Sequence, residues 1–266
     1  MLPAVRVVVA ALAAMAVSAV GAVASALAAP GGPDPALLVN SSPLPSPSPS
    51  PSPSPSPSPS PSPTGFDKEA HSIDDPASKW VVVNKTRPLD PIRYAPTDKS
   101  NLSPIPNGSY QYLRTEAADA LRELYAAAKS DGIYIKIATA ERTYSDQWVI
   151  HRRWVEKNGW WWADRSSARA GYSEHQTGWA VDIYSSDACR LKKCFGRSAA
   201  GTWVAAHAWE HGFIIRYPDD AVDITGYIWE PWHLRYVGIG LSTEMHETGV
   251  ETLEEFFGLG PAPSYT

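Results

Sequence analysis

Cysteine is nearly missing from this sequence: Cys189 and Cys194 are the only two in 266 residues. Neither has a neighbouring histidine, which argues against a cysteine-based zinc site. Neither follows the apolar run at the N-terminus, so lipid attachment there is excluded. Basic residues are also outnumbered, with 23 Lys and Arg against 28 Asp and Glu and a net charge of -5. That balance argues against nucleic acid as a partner, although it says little about small peptides, for which the local field at a site outweighs total charge. No glycine-rich phosphate loop is present, and no internal repeat apart from one low-complexity tract.

What is there begins with Arg6, followed by an uncharged Val/Ala/Leu run to Ala29 with small residues at Ala26-Leu27-Ala28. Residues 1–29 are therefore expected to be a secretory signal peptide or, if uncleaved, a signal anchor that tethers the protein through residues 7–29. Both put the rest of the chain outside the cytoplasm, secreted or membrane-anchored at the cell wall. Residues 30–64 form a stalk dominated by the Pro-Ser alternation of residues 45–63. Such a tract has no access to helix or sheet ladders and extends at ~3.1 Å per residue, a reach of about 60 Å. It carries no specific ligand motif and is read as a spacer. Residues 65–100 are polar and turn-rich, a lead-in expected to pack on the domain surface, with Trp80-Val81-Val82-Val83 as its one strand-like run. The compact domain is expected over residues 101–260, long enough for one core.

Within that domain the pattern reads as α+β. Ala117, Leu121, Leu124, Tyr125 and Ala128 recur at helical spacing behind a candidate cap at Thr115, with Gly132 as the stop. Residues 133–137 alternate as a strand and deliver Arg142 to its end. A second helix is expected over residues 144–157, a third over 203–211, strands over 213–217 and 232–237, and a terminal helix packing Leu253, Phe256 and Phe257 over the sheet. The fold expected is a small central antiparallel sheet with flanking helices and a metal site in a cleft. Trp160-Trp161-Trp162 read as core-closing aromatics or a cleft wall, since adjacent residues do not share one face. In an exported protein, Cys189 and Cys194 are close enough to read as a loop disulfide.

The chemistry concentrates in Gly171-Tyr-Ser173-Glu-His175-Gln-Thr-Gly178-Trp-Ala180-Val-Asp182 and in Glu230-Pro231-Trp232-His233. His175, Asp182 and His233 offer two imidazoles and a carboxylate, the ligand count that leaves one tetrahedral position of a single Zn2+ open. Glu230 is the candidate base for hydrolysis at such a site. Gly178 supplies a turn into a strand on which Ala180 and Asp182 share a face, with Ala180 leaving room beside the metal. Pro231 favours a break that lets Glu230 and His233, three residues apart, face one cavity. His151, His207, His211 and His246 lack ligand-like partners and are read as structural or solvated.

The pattern Ser173-x-His175-x-x-Gly178-x-Ala180-x-Asp182 followed by Glu230-x-x-His233 resembles the signature of zinc D-alanyl-D-alanine carboxypeptidases of the VanY type, in the superfamily shared with hedgehog-like domains. Tyr112-Leu-Arg-Thr-Glu-Ala117, Arg142-Thr-Tyr-Ser-Asp-Gln147, Gly212-Phe-Ile-Ile-Arg-Tyr-Pro218 and the segment around Glu230 follow in family order. The resemblance implies that Arg142 stabilises the oxyanion or orients the scissile carbonyl. It also implies that Gln147 belongs to the substrate-binding set and that Ser173 contacts the substrate's terminal carboxylate. The sequence departs from the family pattern just before Arg142, where Ala140-Glu141 stands, and Glu141 is an adjacent possible ion-pair partner. The activity implied is removal of the C-terminal D-Ala from peptidoglycan stem peptides. The alternatives are an endopeptidase cutting within stem or crossbridge, and a zinc-containing wall-binding module without turnover, which would have no need of Glu230.

Overall fold

The computed structural model describes residues 65–266. The expected signal and stalk, residues 1–29 and 30–64, lie outside the described residues. A short antiparallel pair comes first, β1 (Lys99–Asn101) with β2 (Tyr112–Arg114). It leads directly into α1 (Thr115–Ser130). Ala117, Leu121, Leu124 and Ala128 form the buried stripe of α1, while Glu116 and Lys129 stand at the ends where the helix dipole favours their signs. Thr115 is the first helical residue and not the cap: Arg114 takes the cap position with extended backbone and no capping side chain.

Then follow β3 (Lys136–Thr139), α2 (Tyr144–Asn158), α3 (Trp160–Ser166), β4 (Ala180–Tyr184) and α4 (Ala199–His207). The chain closes with β5 (Phe213–Ile215), α5 (Val222–Thr225), β6 (His233–Tyr236), α6 (Ile239–Thr248) and α7 (Leu253–Phe256). Thr143 caps α2 by accepting from the Asp146 backbone N–H, the role its residue type suits. The central sheet has the order β3-β4-β6-β5, every neighbour antiparallel.

Register divides the sheet into two faces. Val181, Ile183, Leu234, Tyr236 and Phe213 turn towards α1 and form the main core with Leu121 and Leu124. Ala180, Asp182, His233 and Arg235 share the other face, with Asp182 opposite His233 and Ala180 opposite Arg235. The apolar face fixes the register, and a slip of one residue would send the two candidate ligands into the core.

The lead-in is not a surface segment. Val81 and Val83 belong to the main core, and Trp80 and Val82 to a second cluster with Leu241, Met245 and Phe256. The period-two alternation is real, but the run lies between two cores and joins neither sheet as a strand. Its Val82 N–H donates to the Ile73 carbonyl at 2.9 Å, and side chains tie the run to the rest of the domain. The Arg235 guanidinium donates to the Lys79 and Val81 carbonyls at 2.9 and 2.8 Å, and Trp80 Nε1 donates to the Val237 carbonyl at 3.0 Å.

Candidate metal centre and its cleft

A short 3-10 turn, Glu174–Thr177, presents His175 at the mouth of β4. Gly178 ends that turn at φ +75°, and a Cβ there would meet Arg114 Cγ at 2.9 Å, so both conformation and space call for glycine. Two residues into β4 stands Asp182. His233 opens β6 after a turn in which its N–H donates to the Glu230 carbonyl at 3.0 Å, with Pro231 at the position where proline's fixed φ suits a turn. This is the break expected at Pro231, and it leaves Glu230 and His233 on one cavity.

His175, Asp182 and His233 are all buried, and each offers one ligand atom within 4.8 Å of the others. The ring atoms left for a metal are defined by the bonds at the opposite side of each ring. His175 Nδ1 is held by the Ala140 carbonyl at 2.7 Å, which turns Nε2 towards Asp182 Oδ2 at 3.3 Å. His233 Nε2 meets Glu174 Oε2 at 3.2 Å, which turns Nδ1 towards Asp182 Oδ1 at 3.1 Å. Two nitrogens and a carboxylate converging in this way suit zinc. Burial, with Arg142 nearby, pushes His175 down to about 4 and keeps it neutral. Burial also opposes charge on His233, but hydrogen bonds to Asp182 and Glu174 outweigh it and raise that ring to about 9.

Glu230 lies beside these groups. Its carboxylate has no hydrogen-bond partner among the described residues, and burial raises it to about 8 despite nearby His233 and Arg142. With Ser173, Tyr217 and Arg142 it lines a cavity of about 160 Å3, whose outer wall is Ile150 and Trp154 of α2 and Leu191 of the disulfide loop. Ser173 is buried and makes no capping bond to the turn it precedes, so its hydroxyl is left to the cavity. Arg142 points into the same space, with Nη1 3.4 Å from Asp182 Oδ2. Its neighbour Glu141 pairs with Lys99 at 3.1 Å instead.

Several expectations need correction. Gln147 does not line the cavity: its Oε1 accepts from Arg142 Nε at 2.9 Å and its amide N–H donates to the Ala168 carbonyl at 2.6 Å, so it braces Arg142 from behind. Ala180 shares the face of Asp182 and stands opposite Arg235 across the sheet. None of Trp160, Trp161 and Trp162 forms the cleft wall, whose tryptophan from α2 is Trp154. The Cys189–Cys194 disulfide is present. His151 and His207 pair with Asp164 and Glu210, and His246 stacks on Trp209, away from the centre.

The residue that sequence reasoning passed over is Glu174. Its Oε1 accepts from Arg216 Nε and Arg235 Nη1, each at 2.8 Å, while Oε2 holds His233. Burial alone would raise it, but the two guanidinium groups hold it well below the usual carboxylate range. Arg216 in turn forms a two-pronged pair with Glu254 at 2.9 and 2.7 Å, and Glu254 accepts from Asn84 at 3.0 Å. The signal was there: a carboxylate adjoining His175, and Arg235 two residues from His233 on the same strand face.

A buried centre of two histidines and an aspartate, with an unpaired carboxylate on the same cavity, defines the class of metal-dependent hydrolases built around one ion. Residues 110–239 match the family described as VanY, D-alanyl-D-alanine carboxypeptidase. The chain is 40% identical over 195 residues to the putative carboxypeptidase YodJ of Bacillus subtilis (strain 168), covering 70% of this chain and 69% of that protein. Among solved structures it resembles the LdcB LD-carboxypeptidase, with TM-score 0.64, 39% identity and coverage of 69% of this chain and 87% of that one. It also resembles a mutant of the vancomycin-resistance D,D-pentapeptidase VanY in complex with Zn(II), with TM-score 0.57, 32% identity and coverage of 68% and 98%. The chain belongs to the VanY D-alanyl-D-alanine carboxypeptidase family. It is a metallopeptidase, and zinc, the ion in the VanY structure, is the one its donor set suits.

Proposed function

We propose that this enzyme is an exopeptidase that removes the C-terminal D-Ala from peptidoglycan stem peptides ending in D-Ala-D-Ala. The observation that carries the reading is the convergence, in one small cavity, of a free carboxylate, a guanidinium and an unbonded hydroxyl beside the metal-ligand set. His175, Asp182 and His233 would hold the zinc, which when bound supplies Lewis-acid activation of water and of the scissile carbonyl. Glu230 takes a proton from the attacking water and returns it to the leaving amine, a task suited to a carboxylate that lines the cavity beside the ligand set with no hydrogen-bond partner of its own among the described residues. Arg142, steadied by Gln147, presents its guanidinium to the oxygen on which negative charge develops. Ser173 donates to the substrate's terminal carboxylate. In the same reading residues 1–29 export the chain and residues 30–64 space the domain, which begins near residue 65, from the membrane or through part of the wall.

The test compares a stem pentapeptide ending in D-Ala-D-Ala with its C-terminal amide, in wild type and in Ser173→Ala. The amide loses a charge-assisted contact, and kcat/KM is expected to fall by roughly 10–100-fold, the equivalent of ~1–3 kcal/mol. Ser173→Ala should narrow that gap. Equal cleavage of acid and amide, or cuts inside the stem, would transfer the assignment to an endopeptidase. Release of D-Ala from the tetrapeptide alone would make the enzyme L,D-specific.

A further inference from the structure

Helix α2 separates the metal cavity from a second concavity. Ile150 and Trp154, one turn apart, face the cavity, whereas Trp148, His151, Arg152 and Val155 follow the neighbouring stripe of the helix and line a groove of about 590 Å3. The groove is completed by Trp160 at the start of α3, by Arg169 and by Tyr172. Trp148 and Trp160 are 50% and 62% exposed, part of an exposed aromatic surface on α2 and α3 that also includes Trp161 and Trp162, whereas Trp80, Trp179 and Trp232 are buried.

These rings are held in place without being covered. The Arg152 guanidinium lies 5.3 Å from the Trp148 ring, and Trp160 has the His151 ring at 5.8 Å and the Arg169 guanidinium at 5.5 Å. The charges around them are already neutralised in pairs. Arg169 grips Asp164 with two bonds at 3.1 and 2.8 Å, His151 shares that carboxylate at 3.0 Å, and Arg152 meets Glu156 at 3.0 Å. The groove is thus concave and aromatic, its lining charges are paired, and the Arg93 guanidinium lies 4.3 Å from the Tyr144 ring at its side. That chemistry suits a pyranose ring, whose C–H face packs on an aromatic plane while its hydroxyl and acetamido groups reach the rim. A lipid surface, being flat and commonly anionic, matches neither the concavity nor the paired charges.

We propose that this groove binds the amino-sugar strand to which the stem peptide is attached, so that the enzyme engages a glycan-linked peptide on both sides of α2. The inference rests on the peptidoglycan reading above. Reach permits it: a helix is about 10–12 Å across, and a five-residue stem extended at ~3.3–3.6 Å per residue spans roughly 17 Å. The sugar then adds binding energy remote from the reacting bond, and its effect falls chiefly on KM.

The experiment measures kcat and KM for one stem pentapeptide, free and joined to its N-acetylated disaccharide, in wild type, Trp148→Ala and Trp160→Ala. It also titrates each protein with tetra-N-acetylchitotetraose and with vesicles containing phosphatidylglycerol. Wild type is expected to prefer the disaccharide-linked substrate by about tenfold through KM, with the preference approaching one in both variants and chitotetraose binding lost alongside it. The free peptide reports folding of the variants. Equal KM values for the two substrates in wild type would overturn the inference, as would a preference that survives both substitutions, or vesicle binding that depends on these tryptophans without chitotetraose binding. If neither substrate is hydrolysed, the peptidase reading fails, and the chitotetraose titration still decides whether the groove takes sugar.

Discussion

Glu174 orients one of the candidate ligands, His233, from the edge of the cavity. It accepts from two buried guanidinium groups and fixes the His233 ring by its Nε2, leaving Nδ1 for metal. Such outer partners typically change metal affinity by 10–100-fold. Glu174→Gln is therefore expected to weaken zinc binding by that factor, measured by competition with a chromogenic chelator. Unchanged affinity would mean that the ring is oriented by its packing on Tyr217 alone. His233→Ala should lose the metal altogether, and full zinc occupancy on elemental analysis would sink the ligand assignment. Glu230→Ala separates binding from chemistry. It should retain zinc but lose turnover by roughly 10²–10⁴-fold, the range for a missing general base, whereas near-normal turnover would move the base elsewhere.

Elements show why part of this was legible in the sequence. Alternation in β4 and β6 put Asp182 and His233 on strands whose apolar neighbours face the core, and Pro231 marked the turn that aims Glu230. The stripe of α1 was open to periodicity, whereas the cap placed at Thr115 was off by one residue. What pattern alone did not carry was long-range partnership. Trp80-Val81-Val82-Val83 alternates like a surface strand, yet the Val81 carbonyl, with that of Lys79 just before the run, accepts from Arg235 far along the chain. Gln147 has the chemistry of a substrate ligand but spends its amide on Arg142 and Ala168. The ionic chain from Glu174 through Arg216 to Glu254 also ties α7 to the sheet, with a consequence for pH. Burial opposes charge on Glu254, but Arg216 and Asn84 hold its pKa below the ordinary value. Its stabilising contribution is thus complete above the unfolded value near ~4.3 and is lost as pH falls through the folded one. Glu254→Gln should lower stability at neutral pH by about 3–5 kcal/mol, since it leaves Arg216 short of a partner, and should flatten the acid limb of a Tm-against-pH curve. An unaltered acid limb would assign that sensitivity to other carboxylates.

At the scale of the whole molecule, the lead-in, the sheet and the terminal helix form one support for the cleft, because Arg235 of β6 and Glu254 of α7 both bond to residues 79–84. The disulfide loop contributes differently. Cys189–Cys194 closes a short loop that carries Leu191 to the cavity wall. Replacing both cysteines with serine is expected to cost about 2 kcal/mol by freeing the unfolded chain, with a modest fall in activity. Loss of all turnover without loss of stability would make the loop part of the catalytic cleft proper. The central claim is that one zinc ion in this cleft drives the release of a single terminal residue. Its most direct test is digestion of a stem pentapeptide ending in D-Ala-D-Ala by the purified domain, followed by mass spectrometry, before chelation, after chelation and after zinc is restored. The account predicts tetrapeptide and free D-Ala as the sole products, abolished by the chelator and recovered with stoichiometric zinc. Internal fragments, or turnover indifferent to the chelator, would contradict it.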